Sequence, residues 1–215
     1  MVEAVIFDMD GTLIDTEVVS QAAWDEAFRR AGVDDSEALH RSFIGRNRVA
    51  IIQTIAEALG SEEGARNVVR DHDEIFERTS RTELVAKPGA RETVAAVRAA
   101  GYRVALATST SRGPALGRLA RFGLDGMFDA MVFGDQIAHG KPDPEIFLKA
   151  AEALEAPAGL CAVVEDSPNG VRAAHAAGMR VLLIPDIAEI PPEFLAMSDA
   201  VLGSLVEVEG ALDAL

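Results

Sequence analysis

Ala4-Val5-Ile6-Phe7-Asp8-Met9-Asp10-Gly11-Thr12, close to the start of the 215-residue chain, joins an unbroken apolar run to two carboxylates and a glycine. Four consecutive apolar residues without polar alternation predict a strand covered on both faces, as in a parallel sheet with helices above and below it. Gly11-Thr12 then turns the chain, so Asp8 and Asp10 stand at the strand's carboxyl end, the edge at which open α/β sheets bind ligands. Asp-Gly is also an ordinary turn dipeptide. The longer pattern, hydrophobic-Asp-x-Asp-Gly-Thr, marks the pair as functional.

Outward from this run, similar apolar stretches recur at Tyr102–Ala107, Ala130–Phe133, Cys161–Val164 and Arg180–Ile184. Helical patterns lie between them at Ala90–Ala100, Pro114–Phe122, Pro144–Leu154 and Pro168–Ala177, several closed by a glycine (Gly101, Gly123, Gly178). Alternating strand and helix predicts an α/β fold, a Rossmann-like, doubly wound parallel sheet. One interval departs from it. Between about Thr16 and Val85 the periodicity is helical only, with Val49, Ile52, Ile55, Ala56 and Leu59 on one stripe. The expected organisation is an α/β core of residues 1–15 and 87–215 carrying a helical insertion, 16–86, suited to act as a lid.

The 35 acidic and 20 basic residues leave a formal charge of −15. Such a surface repels nucleic acid and anionic lipid, so neither is an expected partner, and an anionic substrate must be drawn in by local positive charge. Cys161, the single cysteine, permits no intrachain disulfide and reads as a buried strand thiol. No secretory signal and no apolar run of membrane-spanning length is visible, which points to the cytoplasm. Nothing in the chain's size demands oligomerisation.

Three further stretches sit at strand ends. In Leu106-Ala107-Thr108-Ser109-Thr110-Ser111 the hydroxyl residues suit either helix capping or the holding of phosphate oxygens. In Gly140-Lys141-Pro142-Asp143-Pro144-Glu145, Asp143 with Pro144 can open a helix, leaving Lys141 in the loop, where a solvated side chain is the ordinary alternative. In Val163-Val164-Glu165-Asp166-Ser167-Pro168-Asn169-Gly170, two more carboxylates follow an apolar strand, and grouped oxygen donors are what a hard cation such as Mg²⁺ requires. His40, His72 and His175 share no motif and are given no metal or catalytic role, and His139, next to Gly140, reads as a loop residue. Trp24, Ala27 and Phe28 form an ordinary packing face.

Taken in order, Asp8-x-Asp10-Gly11-Thr12, Thr108, Lys141 and Glu165-Asp166 resemble the four motifs of the haloacid dehalogenase superfamily. The helical insertion after the first motif resembles the C1-type cap of its β-phosphoglucomutase and sugar-phosphate phosphatase subgroup. The resemblance implies a sheet whose first strand lies between the strands carrying Thr108 and Asp166. It implies Mg²⁺ as cofactor, held by Asp8, the backbone carbonyl of Asp10, and Asp166, with Glu165 as an additional or water-mediated ligand. Asp8 would be the nucleophile, forming an aspartyl-phosphate, and Asp10 the proton donor and acceptor. Lys141 would keep Asp8 ionised together with the cation, and Thr108 and the Ser109 N–H would orient phosphoryl oxygens.

Within the insertion, Gly45-Arg46-Asn47-Arg48 stands at the start of an expected helix and resembles the subgroup's substrate-contacting segment. Arg48 aligns with the mutase arginine that grips a second phosphate; a solvated side chain is the alternative. Ser20 stands where the mutases carry a histidine, which favours a phosphatase acting on a small phosphorylated metabolite, a sugar phosphate or nucleoside monophosphate, over the alternative, a sugar-phosphate mutase.

Overall fold

The computed structural model describes residues 1–33, 36–43, 48–186 and 190–215. The strand β1 (Ala4–Phe7) is followed by the two-residue strand β2 (Ile14–Asp15) and four helices, α1 (Glu17–Arg30), α2 (Ser36–Phe43), α3 (Arg48–Leu59) and α4 (Glu62–Glu83). The chain continues through β3 (Val85–Ala86), α5 (Ala90–Ala99), β4 (Arg103–Thr108), α6 (Arg112–Arg121), β5 (Ala130–Phe133) and α7 (Glu145–Ala153). Then come β6 (Cys161–Glu165), α8 (Pro168–Ala176), β7 (Arg180–Leu183), α9 (Pro192–Met197), β8 (Ala200–Val201) and α10 (Val208–Leu212). Two units are built, one from residues 1–14 and 85–215 and one from residues 15–84.

In the first unit six parallel strands are ordered β5-β4-β1-β6-β7-β8. Both neighbours of β1 are parallel to it, and Phe7 pairs with Leu106 on one side and Val164 on the other. The amide of Asp8 continues the ladder by donating to the Val164 carbonyl at 3.0 Å. All four residues of β1 are fully buried, as are Val104–Thr108 and Cys161–Val164. This explains the absence of polar alternation in these runs, since helices cover both faces of a parallel sheet. On one face Ala4, Ile6, Ala105, Cys161 and Val163 pack with Ile146 and Phe147 of α7 and Val171 and Ala174 of α8.

Local chemistry sets the helix starts at the sheet edge. The Ser167 hydroxyl accepts from the Gly170 amide at 3.1 Å, with Pro168 in the first helical position, a proline site that sacrifices no hydrogen bond. The Asp143 carboxylate accepts from the Glu145 amide at 2.9 Å and so opens α7. Helix α6 begins at Arg112 rather than at Pro114, because a proline within the first turn still lacks no helical partner. The short elements β8, α9 and α10 were not legible, since strands and helices of two to six residues hardly develop a period.

The second unit is helical throughout its described span after β2. Trp24, Phe28, Phe43, Ile55, Val68, Val69 and Ile75 form its core. Of the stripe expected on α3, Ile55 is fully buried and Ile52, Ala56 and Leu59 pack partly against the core, whereas Val49, in the first turn, is 66% exposed. The His72 ring stacks on Trp24 with centroids 3.8 Å apart and planes 16° apart, and His40 lies on another side of the same indole at 6.3 Å.

Burial holds the His40 imidazole below the ordinary histidine range, opposed by Asp25 and reinforced by His72. The unfolded chain therefore takes up a proton at about pH 6.5 that the folded one resists, so this contribution to stability is complete above that pH and is lost as pH falls. In urea unfolding of the wild type and His40→Gln, the stability difference should shrink from about pH 7.5 to about pH 5; a difference independent of pH would contradict this.

Candidate active site

Four chain segments meet at the carboxyl edge of the sheet in the first unit. Asp8 follows β1 directly and is almost fully buried. The Lys141 ammonium reaches it from the loop before α7, donates to its Oδ1, and donates to Glu165 Oε1 at 2.6 Å. The lysine side chain is only 8% exposed, and its Nζ lies 4.9 Å above the Phe147 ring. The ammonium is therefore held between two carboxylates and an aromatic face in a place from which water is largely excluded.

Glu165, the last residue of β6, is locked from the other side. Its Oε2 accepts from the amides of Asp166 and Ser167, each at 2.8 Å, and from the Ser167 hydroxyl at 2.9 Å. A Cβ on Gly170 would come within 1.7 Å of Glu165 Oε1, so the first turn of α8 is shaped around this carboxylate. The expected ligand role of Glu165 thus shares its oxygens with a bracing role, since Lys141 already claims Oε1.

Asp166 accepts from the Thr12 hydroxyl at 3.0 Å. Gly11, at φ 88°, lies so close that a Cβ there would come 2.2 Å from Asp166 Oδ2. Only glycine meets both the left-handed turn and this approach. One oxygen each from Asp8, Glu165 and Asp166 lie within 4.8 Å of one another.

Three carboxylates against one ammonium leave two negative charges unbalanced if all ionise. Burial pushes Asp8 up to about 8, with Glu165 and Asp10 adding to the rise and Lys141 opposing it. Burial likewise lifts Asp166 well above the usual carboxylate range, helped by Glu165 and Asp8. Burial draws Lys141 down, but Asp8 and Glu165 outweigh it, so the ammonium persists. Lys141 thus offsets the burial of Asp8 only in part. These oxygens could hold a divalent cation, which would supply the missing charge, and an all-oxygen donor set fits a hard cation.

Asp10 is placed differently from its neighbour, its carboxylate lying outside this oxygen group. Oδ1 accepts from the Arg118 guanidinium at 2.8 Å, and Oδ2 from the hydroxyls of Thr110 at 2.7 Å and Thr108 at 3.3 Å. The Thr108 hydroxyl, fully buried, also accepts from the Thr110 amide at 3.1 Å, so it is turned towards Asp10 and its own loop. Ser109 is exposed beside it.

Three participants escaped the sequence reading. Arg118 lies on the buried stripe of α6 between Ala115 and Leu119, with its side chain 12% exposed. A charge on an apolar stripe was the available signal. Thr110 stood within a run whose hydroxyls could not be ranked. Gly134 follows β5, and a Cβ there would come 1.9 Å from the Ser109 carbonyl, so the loop after β4 closes directly on it.

Arg48 lies in the helical unit, where it pairs with Asp73 Oδ2 at 2.6 Å. Asp73 Oδ1 meets His72 Nδ1 at 3.1 Å, and His72 Nε2 meets the Ser20 hydroxyl at 3.2 Å. Ser20, His72, Asp73 and Arg48 thus form one polar chain, and the serine, where the mutase histidine was missing, has a histidine from another helix as partner. Gly45, Arg46 and Asn47 lie outside the described residues.

Removing Lys141 strands two buried carboxylates. Lys141→Met should cost about 3–5 kcal/mol in urea unfolding; a loss below about 1 kcal/mol would show that the pair is solvated.

Residues 2–178 match the family model of haloacid dehalogenase-like hydrolases. The chain is 41% identical over 177 residues to the phosphorylated carbohydrates phosphatase of Thermotoga maritima, covering 82% of each chain. It is 34% identical over 221 residues to protein CbbY of Cereibacter sphaeroides, covering 98% of this chain and 95% of the relative. A crystal structure of the D10N mutant of CbbY from Rhodobacter sphaeroides with xylulose-(1,5)bisphosphate superposes with a TM-score of 0.74 at 31% identity, covering 96% of both chains. The order of the motifs, the sheet that gathers them and the match over most of its length agree: the chain belongs to the haloacid dehalogenase-like hydrolase family.

Proposed function

We propose that the protein is a Mg²⁺-dependent phosphatase that hydrolyses a small phosphorylated metabolite, a sugar phosphate in the first place, through an aspartyl-phosphate on Asp8. The observation that carries this is the pairing of Lys141 with Asp8 inside a group of carboxylates, next to a second aspartate with its own separate partners. The relatives named for phosphorylated carbohydrates and crystallised with a sugar bisphosphate support the substrate class.

Asp8, Asp166 and the Asp10 carbonyl would hold the Mg²⁺, with Glu165 bracing Lys141 beside them. When bound, the cation offsets the negative charge of the carboxylates and of the transferring phosphoryl group. An oxygen of Asp8 attacks phosphorus in line, the bond to the sugar oxygen breaks, and Asp10 protonates that oxygen as it leaves. Asp10 then takes a proton from water as the water attacks the aspartyl-phosphate, which releases phosphate and restores the Asp8 carboxylate. Lys141 offsets charge at the nucleophile, Thr108 and the Ser109 N–H position phosphoryl oxygens, and the Thr110 hydroxyl holds Asp10.

In this proposal the helical insertion is the cap of the fold and governs substrate choice, with Arg48 as its anion-recognising group. Arg48 also carries the second reading, a sugar-phosphate mutase, in which it would grip a second phosphate; Ser20 in place of the mutase histidine speaks against it.

Incubation with a panel of sugar phosphates and nucleoside monophosphates should release inorganic phosphate, and both EDTA and Asp8→Asn should cut the rate at least about a thousandfold. Activity that survives either treatment would reject the mechanism. With glucose 1-phosphate and a bisphosphate primer, phosphate should appear faster than glucose 6-phosphate; the reverse order would establish the mutase.

A further inference from the structure

Beside Thr108 of the motifs, two further residues hold the Asp10 carboxylate. Arg118 donates to Oδ1 at 2.8 Å, and the Thr110 hydroxyl to Oδ2 at 2.7 Å. Both contacts are themselves built in. Helix α6 is fastened at its start by Asp135, whose two oxygens each accept from the Arg112 amide at 3.3 Å. Its neighbours Ala115 and Leu119 are fully buried, so Arg118 stands on a stripe of the helix that is held in the interior. Thr110 is fixed by its amide on Thr108 and by its carbonyl, which accepts from the Gly134 amide at 3.1 Å. A guanidinium has fixed fork geometry, so an ion pair with only 12% of the arginine side chain exposed specifies a carboxylate's orientation as well as its charge.

We propose that Arg118 is a positioning residue of the phosphoryl-transfer site, which together with Thr110 sets the orientation of the Asp10 side chain for proton transfer. The inference rests on the phosphatase reading above. A carboxylate on a strand end has two rotatable side-chain bonds, and proton transfer succeeds only from within hydrogen-bond reach of the reacting oxygen. Asp8 needs no such guide, since Lys141 fixes it, and among the described residues Asp10 has no lysine partner. Arg118 fills that place from a helix following another strand.

The test exploits the leaving group. Breaking the bond from phosphorus to a sugar oxygen requires a proton from Asp10 at that oxygen, whereas p-nitrophenyl phosphate releases a stable phenolate that needs none. In both cases kcat/KM reports events up to transfer of the phosphoryl group to Asp8. Arg118→Met should lower kcat/KM for the sugar phosphate that the wild type hydrolyses best by about a hundredfold. For p-nitrophenyl phosphate it should stay within about threefold of wild type. Arg118→Lys should recover at least about tenfold on the sugar phosphate, and Thr110→Val should reproduce the pattern more weakly.

Equal losses on both substrates, or no loss on either, would overturn the positioning role. Thr110→Val and Arg118→Lys keep the question answerable if Arg118→Met fails to fold. A wild type that releases phosphate from neither substrate would overturn the phosphatase reading itself and is thereby distinguishable.

Discussion

Lys141 sits with its ammonium between Asp8 and Glu165, almost without solvent, and much of the surrounding structure exists to make that tolerable. Desolvating a cation costs several kcal/mol unless strong partners replace its water. Here two carboxylates and the face of Phe147 do so. Glu165 can serve because the first turn of α8 gives it two amides and a hydroxyl, and because Gly170 leaves room for it. The arrangement also needs β1 and β6 in register, so that residues following Phe7 and Val164 stand side by side. A structural ion pair and the proposed nucleophile's partner are thus one object.

Two aspartates separated by one residue are given opposite surroundings by this geometry. Asp8 lies among carboxylates in a buried place short of positive charge, and its rise to about 8 expresses that shortage. Asp10 turns instead towards Arg118 and the hydroxyls after β4. Groups of the same chemical type can take different parts in one reaction only if their environments separate them, and here each has a basic partner of its own. The chain's net charge of −15 makes the two local cations more consequential, since the overall field repels phosphate.

Inside the helical unit, Trp24 is a packing residue, as its spacing implied, but it also forms a surface for His72. That ring in turn links Ser20 to Asp73 and, through it, to Arg48. None of this was legible: the four residues come from three helices, and no period or motif relates positions 20, 48 and 72. Val49 shows the complementary error. Its place on the apolar stripe was read correctly, yet the stripe's first turn extends beyond the core that covers the rest.

By itself the sequence determined the parallel sheet and the order of its helices, and it marked Asp8, Asp10, Lys141, Glu165 and Asp166 as candidate residues beside a helical interval. Those features are local. Continuous apolar runs mark doubly covered strands, caps mark helix starts, and strand ends in such a sheet share one edge. Only the tertiary structure decided what each side chain does there: that Glu165 braces Lys141, that Thr108 turns to Asp10, and that Arg118 is the partner of Asp10. These depend on which helix packs against which strand, at distances of a few ångströms between residues 24 to 108 positions apart in the chain. A charge on an apolar stripe shows that a partner must exist; only packing shows which.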